Sequence, residues 1–259
     1  MIFINDIDEG IINRIFKFAD DTKLLGTVSC TEDIEQLQKD LDKLLDWSQK
    51  WQMSFNKDKC KVMHIGYGNK LVEYVMDGSI LQAVEEEKDL GVIVNRELKV
   101  AKQCAAATKK GYQTLGLISR TFTNKGKSLI IRLYKSLVRP HLDYCIQAWR
   151  PHLQKDIDML EKVQRRATRM AAECGKMEYK DRLRITNLTT LETRRLRADL
   201  VEVYKILNGK EGIKENIFLK GIEMEFKSAL PLPRGVIQPN SSLRDPDLIY
   251  LSIALAIES

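Results

Sequence analysis

The feature that most constrains this chain is a change of hydrophobic period near residue 96. Before it, short apolar runs are broken every few residues by turn signals; after it, apolar residues recur three and four apart as far as Leu207. No single repetitive architecture accommodates both patterns, and none of the solenoid periods is present. The pattern predicts an α+β protein: a mixed segment of hairpins and one helix over 1–95, an all-helical region over 96–220, and an irregular tail over 221–259. Charge changes at the same place. Residues 1–95 hold 18 Asp/Glu against 11 Lys/Arg, whereas the rest holds 18 against 31. The basic part is suited to a polyanion, although a solvated basic surface accounts for the charge equally well.

Within the mixed segment, "RIFKFADDTKLLG" (Arg14 to Gly26) alternates Phe16 and Phe18 with polar residues, predicting a half-buried strand. Apolar character resumes at Leu24 and Leu25, so Asp20 and Asp21 fall at the tip of a tight hairpin. Adjacent carboxylates repel unless a cation or solvent compensates them. Ser29 with Glu32 reads as a capping box, followed by Ile34, Leu37, Leu41, Leu44 and Trp51 on one face of a helix ending near Met53. "CKVMHIG" predicts a strand stopped by Gly66, Asp77-Gly78 a hairpin turn, and "DLGVIV" (Asp89 to Val94) another strand.

In the basic part, Leu98, Ala101, Ala105, Thr108, Tyr112, Leu115 and Phe122 trace one helical stripe. A second helix through Ile130, Leu133 and Leu137 is expected to stop near Arg139, because Pro140 disfavours helical geometry before it. A short segment through Ile146 and Trp149 stops likewise at Pro151. Between Gln154 and Ala172, Lys162, Arg165, Arg166 and Arg169 lie three or four apart on one helix flank. Like charges at that spacing destabilise an isolated helix and point to an anionic partner. Thr189 with Glu192 opens a last helix that closes at Asn208-Gly209. The tail, with Pro231, Pro233, Pro239 and Pro246, carries no periodicity, and its final apolar "LIYLSIALAIES" is too short to cross a bilayer as a helix.

Five widely spaced cysteines without a CxxC pair fit a reducing compartment better than a disulfide framework. His141, Cys145 and His152 are the nearest approach to a metal cluster, and buried structural roles suit them better. The opening "MIFINDIDEG" is acidic and does not resemble a signal peptide.

Taken in order, "FADDTKL", a helix ending in tryptophan, "MSFNKDKCKVMHIG" and "KDLGV" resemble the second half of a reverse-transcriptase palm. "LYKSLVRPHLDYCIQAWRPHLQKDIDMLEKVQRRATRM" and "LETRRLRADLVEVYKILNG" resemble the region after the palm in reverse transcriptases of LINE-type (non-LTR) retrotransposons, the jockey and chicken-repeat group. The resemblance covers roughly Ile2 to Ile213. It implies a partial palm followed by a thumb-like helical region. It further implies that Asp20 and Asp21 are catalytic carboxylates near Mg²⁺, that Lys59 in "NKDKC" lies near an incoming triphosphate, and that Leu90 and Gly91 form a primer-grip turn. Two Mg²⁺ ions would activate the primer hydroxyl and neutralise the triphosphate. The thumb would meet phosphates of RNA, RNA–DNA hybrid or DNA through Lys162, Arg165, Arg166 and Arg169, with Arg194, Arg195 and Arg197 behind them. Family resemblance places such a protein inside the cell, in nucleus or cytoplasm, with no membrane partner.

The resemblance also has gaps. The family's palm begins with an earlier strand bearing another metal-binding aspartate, preceded by fingers, and this chain opens just upstream of the FADD hairpin. The expectation is an N-terminally truncated reverse-transcriptase fragment with an incomplete Mg²⁺ site, inactive alone but retaining RNA or hybrid binding. Two alternatives are a polymerase component completed in trans and a helical interaction module or unselected translation product.

Overall fold

The computed structural model describes residues 4–19, 21–66, 69–210 and the backbone of 248–254. These fall into two units, Met1–Lys99 with Asn240–Ser259, and Val100–Pro239. The division lies within a few residues of the change in period.

In the first unit, β1 (Arg14–Phe18) and β2 (Asp21–Thr27) form an antiparallel hairpin in which Phe18 faces Asp21 across a two-residue loop. Ala19 there has φ +55°, the left-handed conformation that such tight loops require. The inward residue of β1 is Ile15, paired with the fully buried Leu24; Phe16 and Phe18 are exposed at 53% and 61%. The phenylalanines predicted to be half-buried therefore lie on the opposite face. The reason is α1 (Thr31–Trp51), whose Leu37, Leu41, Leu44 and Trp47 cover the side carrying Leu24 and Gly26. A Cβ on Gly26 would come within 2.9 Å of Leu37 Cδ1, so this close approach excludes a side chain.

The helix begins one residue later than the Ser29–Glu32 signal suggests. Asp33, not Glu32, reaches back to accept from the amides of Ser29 (2.8 Å) and Cys30 (3.1 Å). Mid-helix, the buried Asp40 accepts from the amides of Ile12 and Asn13 at 3.2 and 2.8 Å and from Gln36 Nε2 at 2.9 Å. A buried carboxylate so satisfied ties the entry of β1 to the helix.

A single 3-10 turn (Lys57–Lys59) leads into β3 (Lys61–Ile65). β4 (Val75–Met76) and β5 (Ser79–Ile80) close around Asp77-Gly78, both at positive φ, as the sequence predicts. β6 (Gln82–Ala83) pairs parallel with β3, a departure from the antiparallel expectation. "DLGVIV" is a hairpin rather than one strand. Leu90 (φ +43°) and Gly91 (φ +87°) turn between β7 (Glu86–Asp89) and β8 (Val92–Asn95).

The largest correction concerns the tail. Leu248–Ala254, within the stretch read as irregular, forms β9 between β2 and β3 and pairs antiparallel with both. The sheet order is β1-β2-β9-β3-β6. Because both neighbours run against β9, β2 and β3 start at the same end of the sheet. The rest of the predicted tail, residues 211–220 of the predicted helical region, and Asp20 lie outside the described residues.

The second unit is helical throughout its described residues. α2 (Ala101–Thr121) buries Cys104, Ala107, Thr108, Gly111, Leu115 and Ile118, a stripe rotated from the predicted one; Leu98 is exposed and Ala105 lies outside it. Gly111 permits close packing on α6 (Gln154–Met170), since a Cβ there would sit 3.0 Å from Val163 Cγ1. The helical path that starts as α3 (Lys127–Leu133) does not stop before Pro140. A π-helical turn (Tyr134–Val138) carries the chain into α4 (Arg139–Asp143), whose first turn holds the proline where its missing N–H is tolerated. α5 (Ile146–Trp149) stops before Pro151 as expected. α7 (Tyr179–Thr186) and α8 (Leu191–Leu207) follow. The cap of α8 is Thr190, whose hydroxyl accepts from the Thr193 amide at 3.1 Å.

A polar cluster fastens α6 to its neighbours. Gln164 accepts from the Tyr134 hydroxyl at 2.7 Å and donates to the Tyr179 hydroxyl and Thr189 carbonyl, each at 2.9 Å. Glu161 accepts from the Leu191 amide at 2.9 Å and from the Tyr179 hydroxyl. Burial raises the pKa of both tyrosines, so they serve as neutral donors.

Candidate functional site

Strand register decides which side chains of the first unit share a surface. Thr22, Leu24 and Gly26 face α1, so Asp21, Lys23 and Leu25 face away from it, next to Phe18, Phe16 and Arg14 of β1. Across β9, Lys23 and Lys61 stand level, both opposite Ser252. On this face Lys23 forms an ion pair with Asp89, and Lys61 pairs with Glu87 at 3.0 Å. Both carboxylates belong to β7, so two lysines of the sheet hold the strand that leads into the Leu90-Gly91 turn. The strand of the predicted primer-grip turn, in a separate two-stranded sheet, is thus held by ion pairs on the side of the five-stranded sheet that Asp21 shares. The pair Lys23–Asp89 is the residue combination that sequence reasoning missed; nothing local to either residue signals it.

Lys59 is exposed in the 3-10 turn before β3, at the sheet end where β2 begins with Asp21. Asp21 is half-buried, and its cross-strand neighbours are Phe18 and Ala254. Its carboxylate makes no hydrogen bond or ion pair among the described residues. No three His, Cys, Asp or Glu side chains converge among the described residues, so these do not by themselves compose a donor set for Mg²⁺. His141, Cys145 and His152, expected to be buried, are exposed, and the five cysteines are free.

In the second unit, Lys162, Arg165, Arg166 and Arg169 are exposed along one flank of α6, while Val163, Gln164, Ala167 and Thr168 are buried. Arg165 lies over the Tyr179 ring at 4.2 Å and Arg166 over Tyr112 at 5.4 Å. The rings orient these guanidiniums without neutralising them. None of the four cations has a carboxylate partner among the described residues. The three α8 arginines differ from one another. Arg194 donates to Asp143 at 2.6 Å, Arg195 is buried, and Arg197 is exposed.

The chain is 29% identical over 168 residues to the RNA-directed DNA polymerase from mobile element jockey of Drosophila funebris. It is 25% identical over 167 residues to the probable RNA-directed DNA polymerase from transposon BS of Drosophila melanogaster. This chain is similar to RNA-directed DNA polymerases of mobile elements. The jockey polymerase of Drosophila melanogaster matches at 25% over 165 residues. These matches take in 59–61% of this chain but only 18% of each relative's length. No family model and no solved structure matches the chain. Among the described residues, no helix is long and apolar enough to cross a membrane.

Proposed function

We propose that this reverse-transcriptase relative binds RNA or RNA–DNA hybrid through the α6 flank and performs no nucleotidyl transfer by itself. The observation that carries the reading is the exposed row Lys162, Arg165, Arg166 and Arg169, without carboxylate partners among the described residues and with two guanidiniums laid over tyrosines. A helix keeps four like charges on one flank at a cost to its own stability, and a phosphate backbone relieves that repulsion. Contacts of this kind position a duplex without reading its sequence. In this reading the first unit corresponds to part of a palm and the second to a thumb-like clamp.

The inactive half of the proposal rests on register. Among the described residues, Phe18 and Ala254 stand opposite Asp21 and bring no carboxylate beside it. A polymerase completed in trans needs such a donor. The reading of a helical interaction module draws on α8, which exposes Leu196, Leu200, Tyr204 and Leu207 along one side.

Binding of the full chain to a labelled RNA–DNA hybrid across a salt series tests the clamp. Replacing Arg165, Arg166 and Arg169 together by alanine should reduce the slope of log K against log salt by up to about three. No binding at low salt, or an unchanged slope in the triple variant, refutes the clamp. Primer extension with Mg²⁺ should give no product; product that disappears in Asp20→Ala refutes the inactive half.

A further inference from the structure

Among the described residues, two buried charged side chains carry atoms without a hydrogen-bond partner, Asp156 of α6 and Arg195 of α8. Arg195 is 3% exposed, and its Nε and Nη2 have no hydrogen-bond partner among the described residues. A guanidinium withdrawn from water without acceptors is expensive, and burial already pulls its pKa down. The nearby carboxylates are committed elsewhere. Asp143 accepts from Arg194 Nε at 2.6 Å and lies 3.7 Å from Arg139 Nε, while Glu161 is engaged by Tyr179, Gln164 and the Leu191 amide.

Arg195 lines a cavity of about 340 Å³ together with Arg194, Arg197, Gln147, Thr189 and Asp143. Three arginines and one aspartate line it, and that aspartate is already paired with Arg194. The volume is several times the roughly 30 Å³ share of one water, so a tetrahedral oxyanion and its hydration fit. Guanidinium forks match phosphate oxygens in charge and geometry.

We propose that this cavity between α5 and α8 is an oxyanion site that takes a phosphate group, with Arg195 as its base and Arg197 at its mouth. It uses the three α8 arginines that the resemblance sets behind the α6 row, and it adds to the nucleic-acid reading that they form one cavity, which none of Lys162, Arg165, Arg166 and Arg169 lines. The phosphate has two possible sources, a backbone phosphodiester or a free phosphate, and both present the same oxygens to Arg195.

The test is titration of the full chain with inorganic phosphate at constant ionic strength held by chloride, read as a saturable rise in the melting temperature of the helical unit. Arg195→Met should fold, since it exchanges an unpaired buried charge for an apolar chain of similar length. It should weaken phosphate binding at least about tenfold. Arg197→Ala, at an exposed position, should weaken it several-fold and carries the test if Arg195→Met fails to fold. A 5′-hydroxyl oligonucleotide that competes with phosphate identifies a phosphodiester, and absence of competition with retained phosphate binding identifies free phosphate; either supports the site. A rise no larger than that given by chloride, or one left intact in both variants, overturns it. The triple alanine variant of Arg165, Arg166 and Arg169 should leave the phosphate titration unchanged, so the two proposals fail separately.

Discussion

The two units obtain their cohesion from different distances along the chain. In the helical unit α2 and α6 close around each other, and the groups that fasten α6, Tyr134, Tyr179 and Leu191, lie within a few dozen residues of it. In the sheet unit β2 and β3 do not pair with each other at all; each pairs with β9, supplied from near the end of the sequence. Local periodic signals suffice to specify the first arrangement, whereas the second depends on a pairing that no local pattern announces.

Breaking β9 is therefore the most damaging single change. Leu251 stands opposite Leu24 on one side and Val62 on the other. Leu251→Pro removes a ladder donor and pushes the ring into a neighbouring strand, a change seldom tolerated in the centre of a sheet. The expected loss is on the order of 3 kcal/mol or more, confined to the sheet unit. Hydrogen exchange should show β2 and β3 losing protection while α2 and α6 keep theirs. Protection retained in β2 would mean that the sheet closes without this strand.

The same contrast explains what could be read from the sequence. The Asp77-Gly78 turn, the strand ending at Gly66 and the extent of α6 follow from local rules and appear as expected, and so do Leu37, Leu41 and Leu44 on the core face of α1, although Trp47 and not Trp51 completes that face. Leu248–Ala254 could not be recognised, because a strand with neighbours on both sides reads as a continuous apolar run that fits helix or strand alike. Phe16 and Phe18 were legible as a strand but not as its outer face, since alternation fixes two faces without saying which one α1 will cover. Pro140 misled because a π-helical turn lets the chain pass into a new first turn, where proline is harmless. Of the candidate site, the α6 flank follows from spacing alone. The joining of Asp21's strand to the Leu90-Gly91 turn through Lys23 and Asp89 does not.

A complementary break in the helical unit is Gln164→Ala. It leaves the Tyr134 hydroxyl, the Tyr179 hydroxyl and the Thr189 carbonyl each short of a partner at once. A loss of about 2–3 kcal/mol is expected, less than for Leu251→Pro because water can enter the space left behind. Differential scanning calorimetry should show only the helical transition moving. If the sheet transition moves equally, the two units unfold as one and the comparison fails.

Acidification should separate the units more gently. Burial lowers the pKa of His64 below its ordinary value, against a smaller opposing effect from its hydrogen bond to Asn69. The unfolded chain then takes up a proton that the folded sheet unit resists, so stability rises with pH. The contribution is complete above the unfolded value of about 6.5 and declines as pH falls toward the lowered folded value. No described group of the helical unit has a resolved shift in that window. Between pH 7.5 and 5.5 the sheet unit should lose melting temperature, and His64→Gln should flatten that dependence.

The smallest effect belongs to the residue that sequence resemblance ranks first. Asp21 is half-buried at the start of β2, stands opposite Phe18 and Ala254 in the sheet, and its carboxylate makes no hydrogen bond or ion pair among the described residues. A carboxylate with no partner to lose is cheap to replace, so Asp21→Asn should change stability by no more than about 0.5 kcal/mol. Removing one of two adjacent negative charges even relieves repulsion with Asp20. If hybrid binding runs through α6, the same substitution should leave affinity and salt slope as they were. A rise in stability accompanied by unchanged binding would mark the hairpin as a site shaped for a cation rather than for the fold, since repulsion that the fold does not use is retained only at a cost. A clear loss of stability would instead make Asp21 a structural member of the sheet, and the two units would then differ in topology alone.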